Sequence, residues 1–185
     1  MQADRLLDPE LVDVDGNVED RSRTVSVFNG PPPAVRTFAA EDEEIAAVTE
    51  WLKEQATDGV TSHEIGIFVR SEAQLTRAEA ALDAAAFPYV VLDDKAETTS
   101  GKASISTMHL AKGLEFRVVA VMGCDDEVIP LQERIAAVGD DAYLQEVYDT
   151  ERQLLYVACT RARDRLLVTA VEPASEFLDD MSSQN

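Results

Sequence analysis

The run Thr107–Phe116, TMHLAKGLEF, decides how this 185-residue chain is interpreted. The residues leading into it, Ile105–Met108, are a β-branched approach, and Arg117–Met122 (RVVAVM) is typical of a fully buried strand. Lys112 and Gly113 predict a turn between these two strands. Polar side chains are therefore predicted to collect at a strand end, and open α/β sheets bind ligands outside the carboxyl ends of their strands.

A second run, Glu151–Ala162 (ERQLLYVACTRA), predicts a helix. Its apolar residues recur at helical spacing and form one face: Leu154, Leu155, Val157 and Ala158. Arg161 falls where this helix meets the next apolar strand, Arg165–Thr169. This position predicts that the Arg161 side chain is held in place by its neighbours but is not fully buried.

Upstream of these runs, predicted strands alternate with predicted helices, which favours βαβ units and an α/β fold with a mostly parallel sheet. The predicted strands are Thr24–Phe28, Ala34–Phe38, Glu64–Val69 and Tyr89–Leu92. The predicted helices are Glu41–Gln55, with an apolar face that includes Trp51, and the alanine-rich Glu72–Ala86.

Taken together, the two runs resemble motifs V and VI of the UvrD/Rep-type superfamily 1 DNA helicases, in that family's order and spacing. The resemblance implies the second RecA-like motor domain, a three-layer α/β sandwich with a mostly parallel central sheet. Larger members carry an inserted subdomain before motif V. Here only Asp93–Ala103 stands in that place, so the resemblance is to the short form.

The resemblance also predicts the domain limits. Residues 1–33 are expected to hold an N-terminal helix, a short strand and a proline-rich connector that continue from an upstream part containing motif IV. Residues 34–178 are expected to form the RecA-like domain, and residues 179–185 a frayed tail.

Two residues are implied to meet the nucleotide. Arg161 matches the motif VI arginine that contacts the γ-phosphate and would be catalytic, and Glu115 matches a motif V glutamate that contacts the ribose. Gly113 is also assigned to the nucleotide site, where it is expected to permit a backbone turn that a side chain would block. Arg161 has an alternative role as a surface arginine at a helix end, and Glu115 as an ion-pair partner of Lys112 or Arg117.

Single-stranded DNA is the second implied partner. Thr107 and His109 match motif V residues that touch the sugar-phosphate backbone, and Lys112, Arg70 and Ser71 are weaker candidates. A lone histidine is more often structural, so that alternative stays open for His109.

The chain has no G-x-x-x-x-G-K-[ST] phosphate loop. ATP with Mg²⁺ is therefore expected only in a full-length protein, where a first RecA-like domain supplies the loop and the metal ligands. The fragment alone is predicted to be inactive. Asp125–Glu127 follows an apolar strand, but motif order favours a solvated acidic turn over a magnesium site, and no metal site is predicted.

Composition limits the other possibilities. The net charge of −20 predicts weak nucleic-acid binding by the isolated chain, because Lys and Arg supply most non-specific affinity. It is also compatible with an alternative function, a degenerate motor domain that binds proteins without ATPase activity. Cys124 and Cys159 are expected to be buried free thiols. Neither a membrane span nor a signal peptide is predicted, which favours a cytoplasmic protein.

Overall fold

The computed structural model describes residues 10–12, 18–20, 31–137, 139 and 141–182. The predicted N-terminal helix and the predicted strand Thr24–Phe28 lie outside these residues. In the described part of the N-terminal region, β1 (Glu10–Val12) pairs antiparallel with β2 (Val18–Asp20) as a separate two-stranded sheet. The sequence predicts neither of these two short strands.

The main sheet has six strands, and all neighbouring strands are parallel. Their order across the sheet is β3-β8-β7-β4-β6-β5. The strands are β3 (Ala34–Phe38), β4 (Ile65–Val69), β5 (Tyr89–Val91), β6 (Ala103–Thr107), β7 (Phe116–Val121) and β8 (Ala162–Val171). The parallel sheet and its predicted strands are confirmed.

Helices α1 (Glu41–Thr57) and α2 (Leu75–Ala84) pack on one face of the sheet. The four acidic residues of the first turn of α1 suit the positive end of the helix dipole. Trp51 is 7% exposed and packs among the aliphatic side chains of this face, as predicted for a core residue.

The opposite face is covered by α4 (Asp141–Cys159) and α5 (Phe177–Ser182), and the short α3 (Gln132–Ala136) precedes α4. Side chains of β7 alternate between the two cores, with Val118 and Ala120 on the α1/α2 side and Val119 and Val121 on the α4 side. Helices on both faces of a parallel sheet make the three-layer α/β sandwich that the sequence predicts.

The C-terminal boundary differs from the prediction. Residues 179–182, expected to begin a frayed tail, continue α5. Met181 is 1% exposed, and Phe177 is fully buried with its ring edge-on to Tyr148 at 5.9 Å between centroids. Burial of these apolar side chains holds the helix on the sandwich.

Candidate functional site

The run Thr107–Phe116, the long motif, begins at the carboxyl ends of the strands, here called the carboxyl edge of the sheet. It ends at their amino ends, here called the amino edge. Thr107 ends β6 level with Val69, the last residue of β4, while Val118, early in β7, is level with Ile65 at the start of β4. Since all three strands are parallel, residues 108–115 must return from the carboxyl edge of the sheet to its amino edge. The prediction that the polar side chains collect at a strand end is therefore wrong for the motif as a whole, because they are divided between the two edges.

Arg161 lies at the amino edge, immediately before β8. Its Nε donates to the carbonyl of Val157 at 3.0 Å, and its Nη1 donates to the carbonyl of Leu114 at 3.3 Å. Its Nη2 donates to Thr160 Oγ1 at 3.0 Å, and the side chain is half-buried. The guanidinium therefore caps the last turn of α4, as its alternative role predicts, yet these contacts use only three of its five N–H donors.

The end of the long motif is joined to Arg161 through the backbone. The amide of Phe116 donates to the carbonyl of Arg161 at 2.9 Å, so the residues just before β7 lie beside the arginine. Gly113 has a φ of 85°, a left-handed conformation that side-chain-bearing residues rarely adopt, which explains the glycine.

Glu115 and Lys112 are both exposed on this crossing segment. Neither forms an ion pair with any residue in the described part of the chain. Arg117, the other suggested partner of Glu115, pairs instead with Asp164 at 2.8 Å. Glu115 therefore does not form the ion pair of its alternative role, and the Glu115 carboxylate faces solvent.

At the carboxyl edge, Thr107, His109 and Ser71 follow neighbouring strands. Thr107 and Ser71 are half-buried, and His109 is exposed on the 3₁₀ turn 108–110. Partial desolvation of its ring by neighbouring groups lowers the pKa of His109, and the positive charge of Arg70 lowers it further. The lowered pKa favours the neutral ring, which can accept or donate a hydrogen bond.

Arg70 does not fit its predicted role as a DNA contact. It is 2% exposed, and its Nε and Nη2 donate to Glu151 Oε2 and Oε1 at 2.5 and 2.6 Å. Glu151 is fully buried and also accepts from Arg134 Nη1 at 2.8 Å. Sequence reasoning assigned no role to Glu151, although it opens the second run, because its partner Arg70 is 81 residues away.

A second buried ion cluster lies beyond the carboxyl end of β7. Arg77 Nη1 donates to Glu44 Oε2 and Asp125 Oδ2, each at 3.0 Å. Glu44 also accepts from the amide of Gly123 at 2.9 Å and the hydroxyl of Thr169 at 2.5 Å, and burial raises its pKa. Asp125 is thus a structural ion-pair partner of Arg77, and the prediction of a solvated turn is wrong at this residue.

The two cysteines are buried and free, as predicted. Burial raises the pKa of Cys159 to about 12 and that of Cys124 well above its ordinary value. Both therefore stay protonated and poorly nucleophilic at neutral pH.

The fold and the motif geometry define a RecA-like α/β domain. Residues 91–173 match the family model of the UvrD-like helicase C-terminal domain. The predicted resemblance to UvrD-type helicases is thereby confirmed over this segment, as a resemblance to their C-terminal domain.

Two similar proteins are named as ATP-dependent DNA helicases. The chain is 43% identical over 77 residues to the ATP-dependent DNA helicase UvrD1 of Mycobacterium leprae (strain TN), which is 42% of this chain and 9% of that protein. It is 42% identical over 76 residues to the ATP-dependent DNA helicase PcrA of Staphylococcus aureus (strain MRSA252), which is 41% of this chain and 10% of that protein. The matches thus span about a tenth of these relatives.

One solved structure is similar over most of the chain. It is described as the C-terminal domain of a possible DNA helicase from Lactobacillus plantarum WCFS1. The superposition has a TM-score of 0.61 with 22% sequence identity, and covers 85% of this chain and 87% of that one. This similarity supports the fold. Among the described residues, no helix is long and apolar enough to cross a lipid bilayer.

Proposed function

We propose that this chain is the second motor domain of an ATP-dependent DNA helicase or translocase. The observation that carries the proposal is the path of the long motif, which starts beside His109 at the carboxyl edge and ends beside Arg161 at the amino edge. A segment of eight residues, 108–115, therefore joins two separate polar surfaces. This arrangement suits a domain in which the state of the bound nucleotide must change the contacts with bound single-stranded DNA.

The amino edge is the proposed nucleotide face. Arg161 retains N–H donors beyond its three intramolecular bonds, and the guanidinium fork matches the oxygens of a phosphoryl group. An arginine that meets charge developing on the transferred phosphoryl is worth about 10³ to 10⁵ in rate. Glu115, exposed beside it, has a carboxylate that can accept hydrogen bonds from ribose hydroxyls.

The carboxyl edge is the proposed single-stranded DNA face. Thr107, Ser71 and His109 offer hydroxyl and imidazole groups there, which suit contacts to a sugar-phosphate backbone that position without reading sequence. Lys112 would add a cation from the crossing segment. Arg70 is left out of this face because its charge is already paired inside the fold.

The remaining parts of an ATP site would come from a first RecA-like domain. The phosphate loop and the ligands of Mg²⁺ are assigned to that domain, because this sequence has no such loop. Bound ATP would supply the phosphoryl group whose transfer drives the cycle. Closure of the cleft between the domains requires the nucleotide to contact both of them differently in the open and closed states. The proposed compartment is the cytoplasm.

The isolated chain gives the first test. With Mg-ATP, calorimetry should detect neither micromolar binding nor turnover, because only one wall of the cleft is present. At millimolar Mg-ATP, NMR shift changes should concentrate at Gly113, Glu115 and Arg161. A thymidine oligonucleotide, as the matched ligand for the other edge, should perturb Thr107 and His109.

Two results would contradict the proposal. Robust ATP turnover by the chain alone would overturn the half-site assignment. Nucleotide shifts at the carboxyl edge, or shifts nowhere, would favour the alternative of an interaction module without ATPase activity.

A further inference from the structure

The ion cluster at the carboxyl edge joins three elements through one carboxylate. Glu151 on α4 receives two hydrogen bonds from Arg70, just after β4, and one from Arg134 on α3. The amide of Leu131 also donates to Glu151 Oε2 at 3.4 Å. Glu151 therefore fixes both the end of β4 and the segment that carries Arg134.

The cluster has a net positive charge in a chain whose total is −20. Two guanidinium groups share one carboxylate, so one positive charge is left over. The Arg70 side chain is 3% exposed, whereas that of Arg134 is 38% exposed, and the uncompensated charge faces solvent through Arg134. Only its Nη1 is bonded within the described residues, and a guanidinium has five N–H donors.

Arg134 also lies near a residue of the proposed DNA face. His109 stands on the turn 108–110, which contacts α4, the helix that carries Glu151. The groups whose charges act on the His109 ring are Arg70, Glu151 and Arg134, one from each packed element. A phosphate next to the imidazole would therefore also meet the field of the exposed Arg134.

We propose that Arg134 is a further contact for a backbone phosphate of single-stranded nucleic acid, and that Glu151 is the positioning residue that holds it beside His109. This inference rests on the proposed DNA face. It adds a cation that no motif assigns, and it gives Glu151 a role in place of the predicted contact by Arg70.

The first test compares two arginine removals with the same change in net charge. Arg134→Gln should weaken binding of a fluorescent thymidine oligonucleotide at low salt by about fivefold, and should reduce the slope of log K against log salt by about one. Arg163→Gln removes an exposed arginine at the amino edge and is the matched control. It should change affinity and slope much less. Equal losses in both variants would overturn the inference.

The second test separates positioning from charge. Loss of one negative charge should by itself strengthen binding to DNA, and Glu146→Gln, an exposed site on the same helix, measures that effect. Glu151→Gln should instead weaken binding, because Arg134 loses its anchor. If Glu151→Gln binds as tightly as Glu146→Gln, the positioning role is wrong. Should Glu151→Gln fail to fold, Glu151→Asp, with a shorter reach, takes its place.

A third measurement keeps this inference distinct from the proposed function. Removing the charge in Arg134→Gln should raise the pKa of His109 in NMR titrations, because the positive charge of Arg134 lowers it in the wild-type chain. If His109→Ala weakens binding but Arg134→Gln does not, the inference fails alone. If neither variant weakens binding, or the wild-type chain binds no oligonucleotide at low salt, both this inference and the proposed DNA face are wrong.

Discussion

At the scale of single residues, Gly66 and Gly113 are glycines for different physical reasons. A Cβ on Gly66 in β4 would stand 2.4 Å from Cδ2 of the buried Phe116 ring. A Cβ on Gly113 would meet no atom within 4 Å, but its φ of 85° is strained for other residues. The first position is limited by space and the second by backbone conformation.

Alanine at these glycines should therefore give unequal losses. Gly66→Ala is expected to lower the free energy of unfolding by about 3 kcal/mol through overpacking. Gly113→Ala should cost about 1 kcal/mol, and Gly113→Asn less, because Asn tolerates the left-handed region. Urea denaturation of the three variants is the measurement. Equal losses for Gly66→Ala and Gly113→Ala would contradict this account.

The buried carboxylate of Glu151 should make stability depend on pH. Burial raises the pKa of Glu151, but hydrogen bonds and charge from Arg70, with a further bond from Arg134, outweigh burial and leave the pKa below its ordinary value. The native state therefore binds fewer protons than the unfolded state in mild acid. The stabilisation is fully present above the ordinary glutamate pKa and is lost as pH falls through the lowered native value.

Glu151→Gln should accordingly destabilise the chain most near neutral pH, by about 3 kcal/mol, because it leaves Arg70 buried without a counter-charge. The difference from wild type should shrink as pH falls below about 4. Chemical denaturation across this range is the measurement, with Glu146→Gln as the exposed control on the same helix. A difference that stays constant with pH would contradict the assigned shift.

At the scale of elements, apolar runs made the strands predictable. Ile65–Val69 and Phe116–Val121 are buried along nearly their whole length, so composition alone identifies them. The path between β6 and β7 was not predictable in the same way. Whether 108–115 turns back at one edge or crosses to the other depends on whether β6 and β7 run in opposite directions or the same one. That is set by their parallel pairing with β4, a distant part of the chain.

Helix α5 was missed for a related reason. Its sequence reads as an acidic tail, and its stability comes from distant side chains on α4. The Phe177 ring packs against Tyr148, and the Arg152 guanidinium carbon lies 4.8 Å from the ring centroid. Tertiary packing of one buried face outweighs the weak local signal.

Truncation of Phe177 tests whether α5 is part of the folded domain. Phe177→Ala should lower the free energy of unfolding by about 3 to 5 kcal/mol, the usual cost of deleting a buried aromatic ring. Tyr143→Ala is the control, because Tyr143 is 63% exposed and should cost little. Thermal or urea melting gives both values. A loss below about 1 kcal/mol for Phe177→Ala would show that α5 adds little to the folded domain, and would favour the frayed tail predicted from residue 179 onward.

At the scale of the whole molecule, the sequence could predict the class of fold, but not the ion clusters. Arg70 and Glu151 are 81 residues apart, and Thr169 and Glu44 are 125 apart. Such pairs form only when the sheet brings distant strand ends together. A buried arginine and an exposed one look the same in sequence, which is why the sequence alone places Arg70 among the candidate DNA contacts.

The central claim is that Arg161 completes an ATP site across a domain boundary. In a protein that joins this domain to its first motor domain, Arg161→Ala should cut kcat for DNA-stimulated ATP hydrolysis by about 10³, equivalent to about 4 kcal/mol, with a smaller change in nucleotide affinity. Arg161→Lys should restore little, because a point charge cannot reproduce the planar fork. Arg163→Ala, two residues away and exposed, is the matched control.

Single-turnover ATP hydrolysis with DNA present, measured beside thermal melting of each variant, tests this claim most directly. The account predicts a loss of about a thousandfold for Arg161→Ala with a melting temperature close to that of wild type, and near-normal hydrolysis for Arg163→Ala. Near-normal hydrolysis by a folded Arg161→Ala protein would contradict it, and would leave Arg161 as a cap on the last turn of α4.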